Sequence, residues 1–160
     1  MSWVNGKPWS IATLTKSHQR IAIDANVLIY VLDGHEQFGR QAGAVVDSIE
    51  MSEVAGSMAT LGEVEVLAGP AASGDAGLFE RSADEVRSFG LRLVPLSSEV
   101  AEEAAWLRGN GGLGIADAIH VACAKAVGAT AMITNDRRIR PRPGLDIAYL
   151  ADLELTEPNA

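Results

Sequence analysis

Residues 20–30 read RIAIDANVLIY. Apart from Arg20, Asp24 and Asn26 the stretch is apolar, and the β-branched Ile21 and Ile23 suit a buried strand. A lone ionised carboxylate inside such a run costs several kcal/mol unless it is paired, hydrogen-bonded or metal-bound. Asp24 therefore either caps a following helix or holds something. NVLIYVLD continues apolar without a break, which predicts a helix starting near Asp24 or Ala25 and places Asp24 at a strand-to-helix junction.

The same alternation runs outward along the chain. GRQAGAVVDSIEM has helical spacing at Ala42, Val45, Val46 and Ile49, and SEVAGSM predicts a second strand. TLGEVEVLAGP predicts a helix with Thr60 near its start, stopped by Gly69 and Pro70. GDAGLFERSADEVRSFG is a further helix ended by Gly90, and LRLVPL is a third strand. Ser97 or Ser98 caps EVAEEAAWLRG, whose Glu99, Glu102 and Glu103 favour the helix dipole. After the Gly-rich GNGGLG, the segment IADAIHVACAKAVG predicts a helix ended by Gly128. ATAMIT and DIAYL give a fourth and a fifth strand. Strands separated by helices imply an α/β domain, its parallel sheet covered on both faces. Residues 1–20, with two Trp, Gly6 and Pro8 but no clear period, read as a loose or strand-like extension. Phe89 and Trp106 lie at helix positions that suit core packing.

A chain of 160 residues is expected to form one domain with a real core. It has no apolar run of the ~18 residues a membrane helix needs, and residues 1–20 lack the apolar core of a secretory signal. A single cysteine, Cys123, excludes an internal disulfide and fits a reducing cytoplasm; a buried place on a helix face is its expected role. The net charge of −8 (13 basic against 21 acidic residues) argues against broad electrostatic binding of nucleic acid. A nucleic-acid role must rest on a local patch, and RRIRPR supplies one with Arg137, Arg138, Arg140 and Arg142.

Four acidic residues stand at the edges of elements. Asp24 ends the first strand, Asp136 ends the fourth, Asp117 lies in the first turn after the Gly-rich loop, and Glu63 follows Thr60 by three on the helix after the second strand. Taken singly, each has a plain alternative: a cap, a dipole partner, a turn residue or solvated surface. In a doubly wound sheet, sites form beyond the carboxyl ends of the strands where the strand order reverses. If the first and fourth strands are neighbours, Asp24 and Asp136 face one cleft. Two carboxylates ~5 Å apart repel by ~3 kcal/mol at an effective dielectric of 20, so a metal-free cluster should have raised pKa values. A cation relieves the repulsion, and hard oxygen ligands select Mg²⁺, with Mn²⁺ as the alternative. Such an ion is suited to phosphodiester hydrolysis.

IDANVLIY, TLGEVEVLAGP, GIADAIHVACAKAVGA and MITNDRRI together resemble the PIN domain family, most closely the VapC-type ribonuclease toxins of type II toxin–antitoxin pairs. The resemblance divides the chain into an N-terminal extension of unassigned role (1–19), a PIN-like domain (20–155) and a tail (156–160). The family's first Asp usually lies nearer the start than residue 24, which leaves the extension as an added edge strand, a dimer contact or a start-site artefact. The resemblance implies a five-stranded parallel sheet ordered 3-2-1-4-5 and an Mg²⁺-dependent endoribonuclease leaving 3′-hydroxyl and 5′-phosphate ends. Asp24, Glu63, Asp117 and Asp136 fall on its acidic quartet, and Asn26 and Thr134 on its supporting polar positions. Asp24 and Asp117 would be the direct metal ligands, Asp136 would act through water, and Glu63 would hold the nucleophilic water. EVEVLAGP fits the family's acidic helix in two registers: spacing from Ser57 and Thr60 favours Glu63, spacing to Pro70 favours Glu65. The two point ~200° apart on a helix, so only one serves the site; Glu63 is the expected one.

Arg137 and Arg138 are expected at RNA phosphate. His120, on Asp117's side of its helix, is expected to be structural rather than substrate-ordering. The implied partners are RNA, a VapB-like antitoxin inserting a segment beside the cleft, and a second copy in a homodimer, with no membrane and a cytoplasmic location. The alternative is a non-catalytic PIN-like module that binds RNA or protein. Phosphoryl transfer through an aspartyl intermediate fits less well, because position 26 is Asn and the fifth strand ends without Lys.

Overall fold

A computed structural model describes residues 3–4 and 7–155. Two short strands, β1 (Trp3–Val4) and β2 (Lys7–Pro8), pair with each other antiparallel and stand apart from the main sheet. Among the described residues, the extension adds no edge strand to that sheet. Residues Ile11–Ser17 form a helix, α1, opened by Ser10 and Thr13, each bonding the other's backbone N–H through its hydroxyl. Trp9 and Leu14 are buried in the main core, and the Glu154 N–H donates to the Trp9 carbonyl (2.9 Å). Seven residues are too few for an isolated helix; this one forms because packing supplies what length does not. The tail, 156–160, lies outside the described residues.

His18 closes α1 and latches it to the sheet. Its ring is buried beside Trp9 (centroids 5.3 Å), with Nδ1 2.7 Å from Thr130 Oγ1 and Nε2 3.3 Å from Asp146 Oδ2. Burial lowers the His18 pKa from its ordinary value, against the pull of Asp146. The folded state thus prefers the neutral ring. That stability is complete above the unfolded value of about 6.5 and is lost as pH falls through it toward the folded one. The melting temperature of the wild type should fall more steeply between about pH 7.5 and 5.5 than that of His18→Gln, which has nothing to titrate there. Parallel profiles would rule out a titrating latch.

The rest of the chain alternates as expected. It runs β3 (Arg20–Ile23), α2 (Ala25–Leu32), α3 (Gly39–Glu50), β4 (Ala55–Ala59), α4 (Thr60–Ala72), α5 (Ala76–Ser88) and β5 (Arg92–Val94). It continues through α6 (Ser98–Gly111), α7 (Ile115–Ala126), β6 (Ala131–Thr134) and β7 (Asp146–Tyr149). All pairings in the five-stranded sheet are parallel, in the order β5-β4-β3-β6-β7. Counted within that sheet alone, this is the order 3-2-1-4-5.

Two cores lie on its two faces. Ile21, Ile23, Ala131 and Ile133 pack with Leu28, Val45 and Ile49; Ala22, Met132 and Ile147 pack on the other face with Val100, Leu107 and Val121. The period-2 alternation of a strand thus places apolar residues on both sides, each buried side chain of Ile or Leu size contributing about 1.5–3 kcal/mol. Cys123 is buried, and so is Phe89, but Trp106 is 66% exposed on the outer side of α6 and takes no part in the core. Helix α4 does not stop at Gly69 and Pro70; it runs on to Ala72. Pro70 falls in the last turn, where it forfeits one bond, to the Val66 carbonyl, and only two helical residues follow it; its own carbonyl takes the Ser73 hydroxyl (2.6 Å).

Gly56 on β4 faces Ile49 of α3. A Cβ there would lie 2.5–2.9 Å from three atoms of that side chain. Gly56→Ala should therefore destabilise by about 1–3 kcal/mol through overpacking, read as a lower urea midpoint with unchanged slope. An unchanged midpoint would mean that Ile49 moves aside freely.

Candidate active site

Strand order reverses between β3 and β6, and the chain leaves both strands at the same edge of the sheet. Asp24 follows β3 directly. It is 7% exposed and resolves the cap-or-ligand question by doing one without excluding the other. Its Oδ1 accepts from the Ala25 N–H (2.7 Å), which caps α2. Its Oδ2 accepts from the Thr134 hydroxyl (2.8 Å) and from Asn26 Nδ2 (3.3 Å). Thr134 is fully buried at the end of β6, and its Oγ1 also accepts from the Asp136 N–H (3.0 Å). One hydroxyl therefore sets the position of both strand-end aspartates.

Helices α4 and α7 bring the remaining groups. Glu65, His120 and Asp24 each present a ligand atom within 4.8 Å of the others'. His120 is buried; its Nε2 lies 2.6 Å from Glu65 Oε1 and 3.6 Å from Asp24 Oδ1. Glu63 does not reach this place. It lines a separate surface hollow with Val64, Leu67 and Phe79. Of the two registers, it is Glu65, and not the expected Glu63, that α4 brings beside Asp24 and His120. Both glutamates lie on one unbroken helix, and a rotation of about 200° separates their directions.

Asp117 and Asp136 border the cluster. Burial raises the Asp117 pKa from its ordinary value, and the charges of Asp136 and then Asp24 raise it further, with the Arg138 guanidinium acting the other way. Crowded carboxylates behave in this way. Asp136 departs from that pattern: its pKa is lowered, first by the hydrogen bond from the Arg138 guanidinium. Arg138 grips Asp136 through Nε (3.0 Å) and Nη2 (2.7 Å), and its own N–H donates to the same carboxylate (2.9 Å). Arg137 is paired with Asp152 through two bonds of 2.9 Å and lies over the Tyr149 ring (4.3 Å to the centroid). Both arginines expected at RNA phosphate therefore have carboxylate partners.

This donor set fits a hard divalent cation. Carboxylate oxygens dominate it, the Asp117 pKa is raised by burial first and by the neighbouring carboxylates second, and Asn26 Oδ1 is a buried acceptor with no protein partner among the described residues. His120, expected to be structural, is buried and meets Glu65; its spacing of three from Asp117 places the two on one side of α7.

The molecule is thus a doubly wound α/β domain with a cluster of acidic side chains at its topological switch point. The sequence model of the PIN domain matches residues 21–144, and the chain belongs to the PIN domain family. No curated protein sequence matches it significantly. Among solved structures it is similar to a toxin–antitoxin complex from Klebsiella pneumoniae, with 22% identity and a TM-score of 0.62 over 81% of this chain and 98% of that one. It is also similar to VapBC2 from Rickettsia felis bound to a DNA fragment from their promoter, with 17% identity, a TM-score of 0.62 and the same coverage. These likenesses concern the fold. Among the described residues, no helix is long and apolar enough to cross a membrane.

Proposed function

We propose that this chain is an Mg²⁺-dependent endoribonuclease, the VapC-type toxin of a type II toxin–antitoxin pair, acting in the cytoplasm. The observation that carries this reading is the cluster of Asp24, Glu65 and His120, with Asp117 and Asp136 near enough to feel each other's charge, at the edge of the sheet where strand order reverses. Membership of the PIN domain family and the toxin–antitoxin nature of the two structural neighbours support it.

Asp24 and Asp117 would hold the divalent ion directly, and Asp136 would act through water. When bound, the ion supplies an activated water and stabilises charge on the phosphate. Thr134 fixes Asp24 and Asp136 relative to each other. Glu65 takes the role of orienting the attacking water and accepting its proton. Arg138, 82% exposed, can exchange Asp136 for an RNA phosphate once the carboxylate has another cation.

The partner is an antitoxin whose segment enters the groove between α2 and α4, lined by Ile29, Leu32, Val66 and Leu78, with Asp33 and Glu65 on its wall. Apolar side chains followed by a basic one match that lining. A second copy of the chain would cover the apolar groove of α6 and α7 around Leu96, Ala105, Ile115 and Ile119.

The test is cleavage of a structured RNA by the purified protein with MgCl₂, with MnCl₂ and with EDTA. Internal cuts that require the divalent ion are expected. Binding of RNA without cleavage under every condition would leave the non-catalytic module as the better reading.

A further inference from the structure

We propose that His120 is the positioning residue of this site: its Nε2–H holds the Glu65 carboxylate against Asp24, and it is not itself a metal ligand. The functional half of this inference rests on the nuclease reading above; the structural half does not.

Two features of the ring decide between clamp and ligand. The first is geometry at Nε2, which is 2.6 Å from Glu65 Oε1 and a full ångström farther, at 3.6 Å, from Asp24 Oδ1. A contact that short to a carboxylate requires a proton on Nε2. The second is Nδ1, which is buried and meets no hydrogen-bond partner among the described residues. An imidazole with its proton on Nε2 leaves there a bare lone pair. An imidazole that ligates through Nε2 must carry its proton on Nδ1, which would bury an N–H donor with no acceptor. The surroundings of the ring therefore favour the donor form at Nε2, and that form cannot bind a cation through the same atom.

Glu65 needs such a clamp. Its side chain is 39% exposed and long, and left alone it would sample several rotamers in solvent. His120 is 3% exposed, buried on α7 three residues after Asp117. The helix that delivers one carboxylate to the site thus also fixes another that arrives on a different helix, α4. A general base set even about 1 Å away from its water loses on the order of a hundredfold in rate.

The test reads the ring directly. Long-range ¹H–¹⁵N NMR on the full chain, with the His120 signals identified by their loss in His120→Gln, should place the proton on Nε2 both before and after saturation with MgCl₂. A proton on Nδ1, or loss of the Nε2 proton when MgCl₂ is added, would overturn the proposal. Two variants test the consequence. His120→Leu removes the donor and should lose on the order of a hundredfold in RNA cleavage, yet still gain melting temperature with MgCl₂ as the wild type does. His120→Gln carries an amide N–H that reaches the same place and should restore most of the lost rate. A His120→Leu protein that folds but no longer responds to MgCl₂ would mark His120 as a ligand and overturn the clamp. Equal loss in both variants would do so too. If the wild type cuts no RNA, the nuclease reading fails, and the NMR result still decides the role of the ring.

Discussion

Asp24→Asn should abolish metal-dependent RNA cleavage while leaving the fold intact. The amide oxygen can still cap α2 through the Ala25 N–H; its NH₂ then replaces the oxygen that accepts from Thr134, and the Thr134 hydroxyl must turn to accept from it instead of donating. The substitution removes one negative charge and one of the two side chains proposed to hold the cation directly. A loss on the order of 10³-fold, about 4 kcal/mol at the transition state, is the expected size for removing a central electrostatic group. The same change should cancel the rise in melting temperature that MgCl₂ gives the wild type, because that rise follows from binding to the folded state alone. Circular dichroism separates this outcome from misfolding. A variant that keeps full activity, or that still melts higher with MgCl₂, would show that Asp24 serves the helix cap and nothing more.

The second large effect separates two glutamates one residue apart from being neighbours. Glu65→Gln should lower cleavage by on the order of 10²-fold or more, since it removes the group placed to accept a proton from water. Glu63→Gln should leave the rate within about twofold, the ordinary result for a surface change away from the chemistry. Glu63 lies among Val64, Leu67 and Phe79, away from Asp24, whereas Glu65 shares a 4.8 Å cluster with Asp24 and His120. The reverse ranking of the two variants would mean that α4 is rotated in the active molecule.

Much of the fold is legible in the residues because its signals are local. Ile21 and Ile23 on one side of β3 and Ala22 on the other announce a strand buried twice over, as only a parallel sheet between helices provides. Asp75 and Ser97 cap their helices through their own side chains, and Gly112 and Gly128 end theirs at positive φ. The misread elements have signals that are not local. Helix α1 has seven residues and a cap built from Ser and Thr; only its packing beside α3 and the tie between Trp9 and the Glu154 segment make it stable. Helix α4 passes Pro70 because the proline stands in its last turn. Trp106 has helical spacing that suits a core, but the side of α6 that faces the sheet is the one with Val100, Ala104 and Leu107.

The site divides in the same way. Asp24, Asp117 and Asp136 stand beside strand and helix ends that the chain marks locally, so their candidacy follows from position in the sequence. Whether Glu63 or Glu65 joins them depends on the rotation of α4 about its axis, which is set by where Gly62 and Val66 are buried rather than by spacing from Thr60 or Pro70. The pairing of Arg138 with Asp136 and of Arg137 with Asp152, and the clamp from His120 to Glu65, arise between groups whose meeting no local pattern encodes. The amino-acid order specified an α/β domain with acidic residues at its strand ends, because capping, alternation and turn chemistry act over a few residues. The choice of glutamate, the partners of the arginines and the place of His120 came from the packing of helices against the sheet, because orientation about a helix axis is fixed by contacts with distant segments.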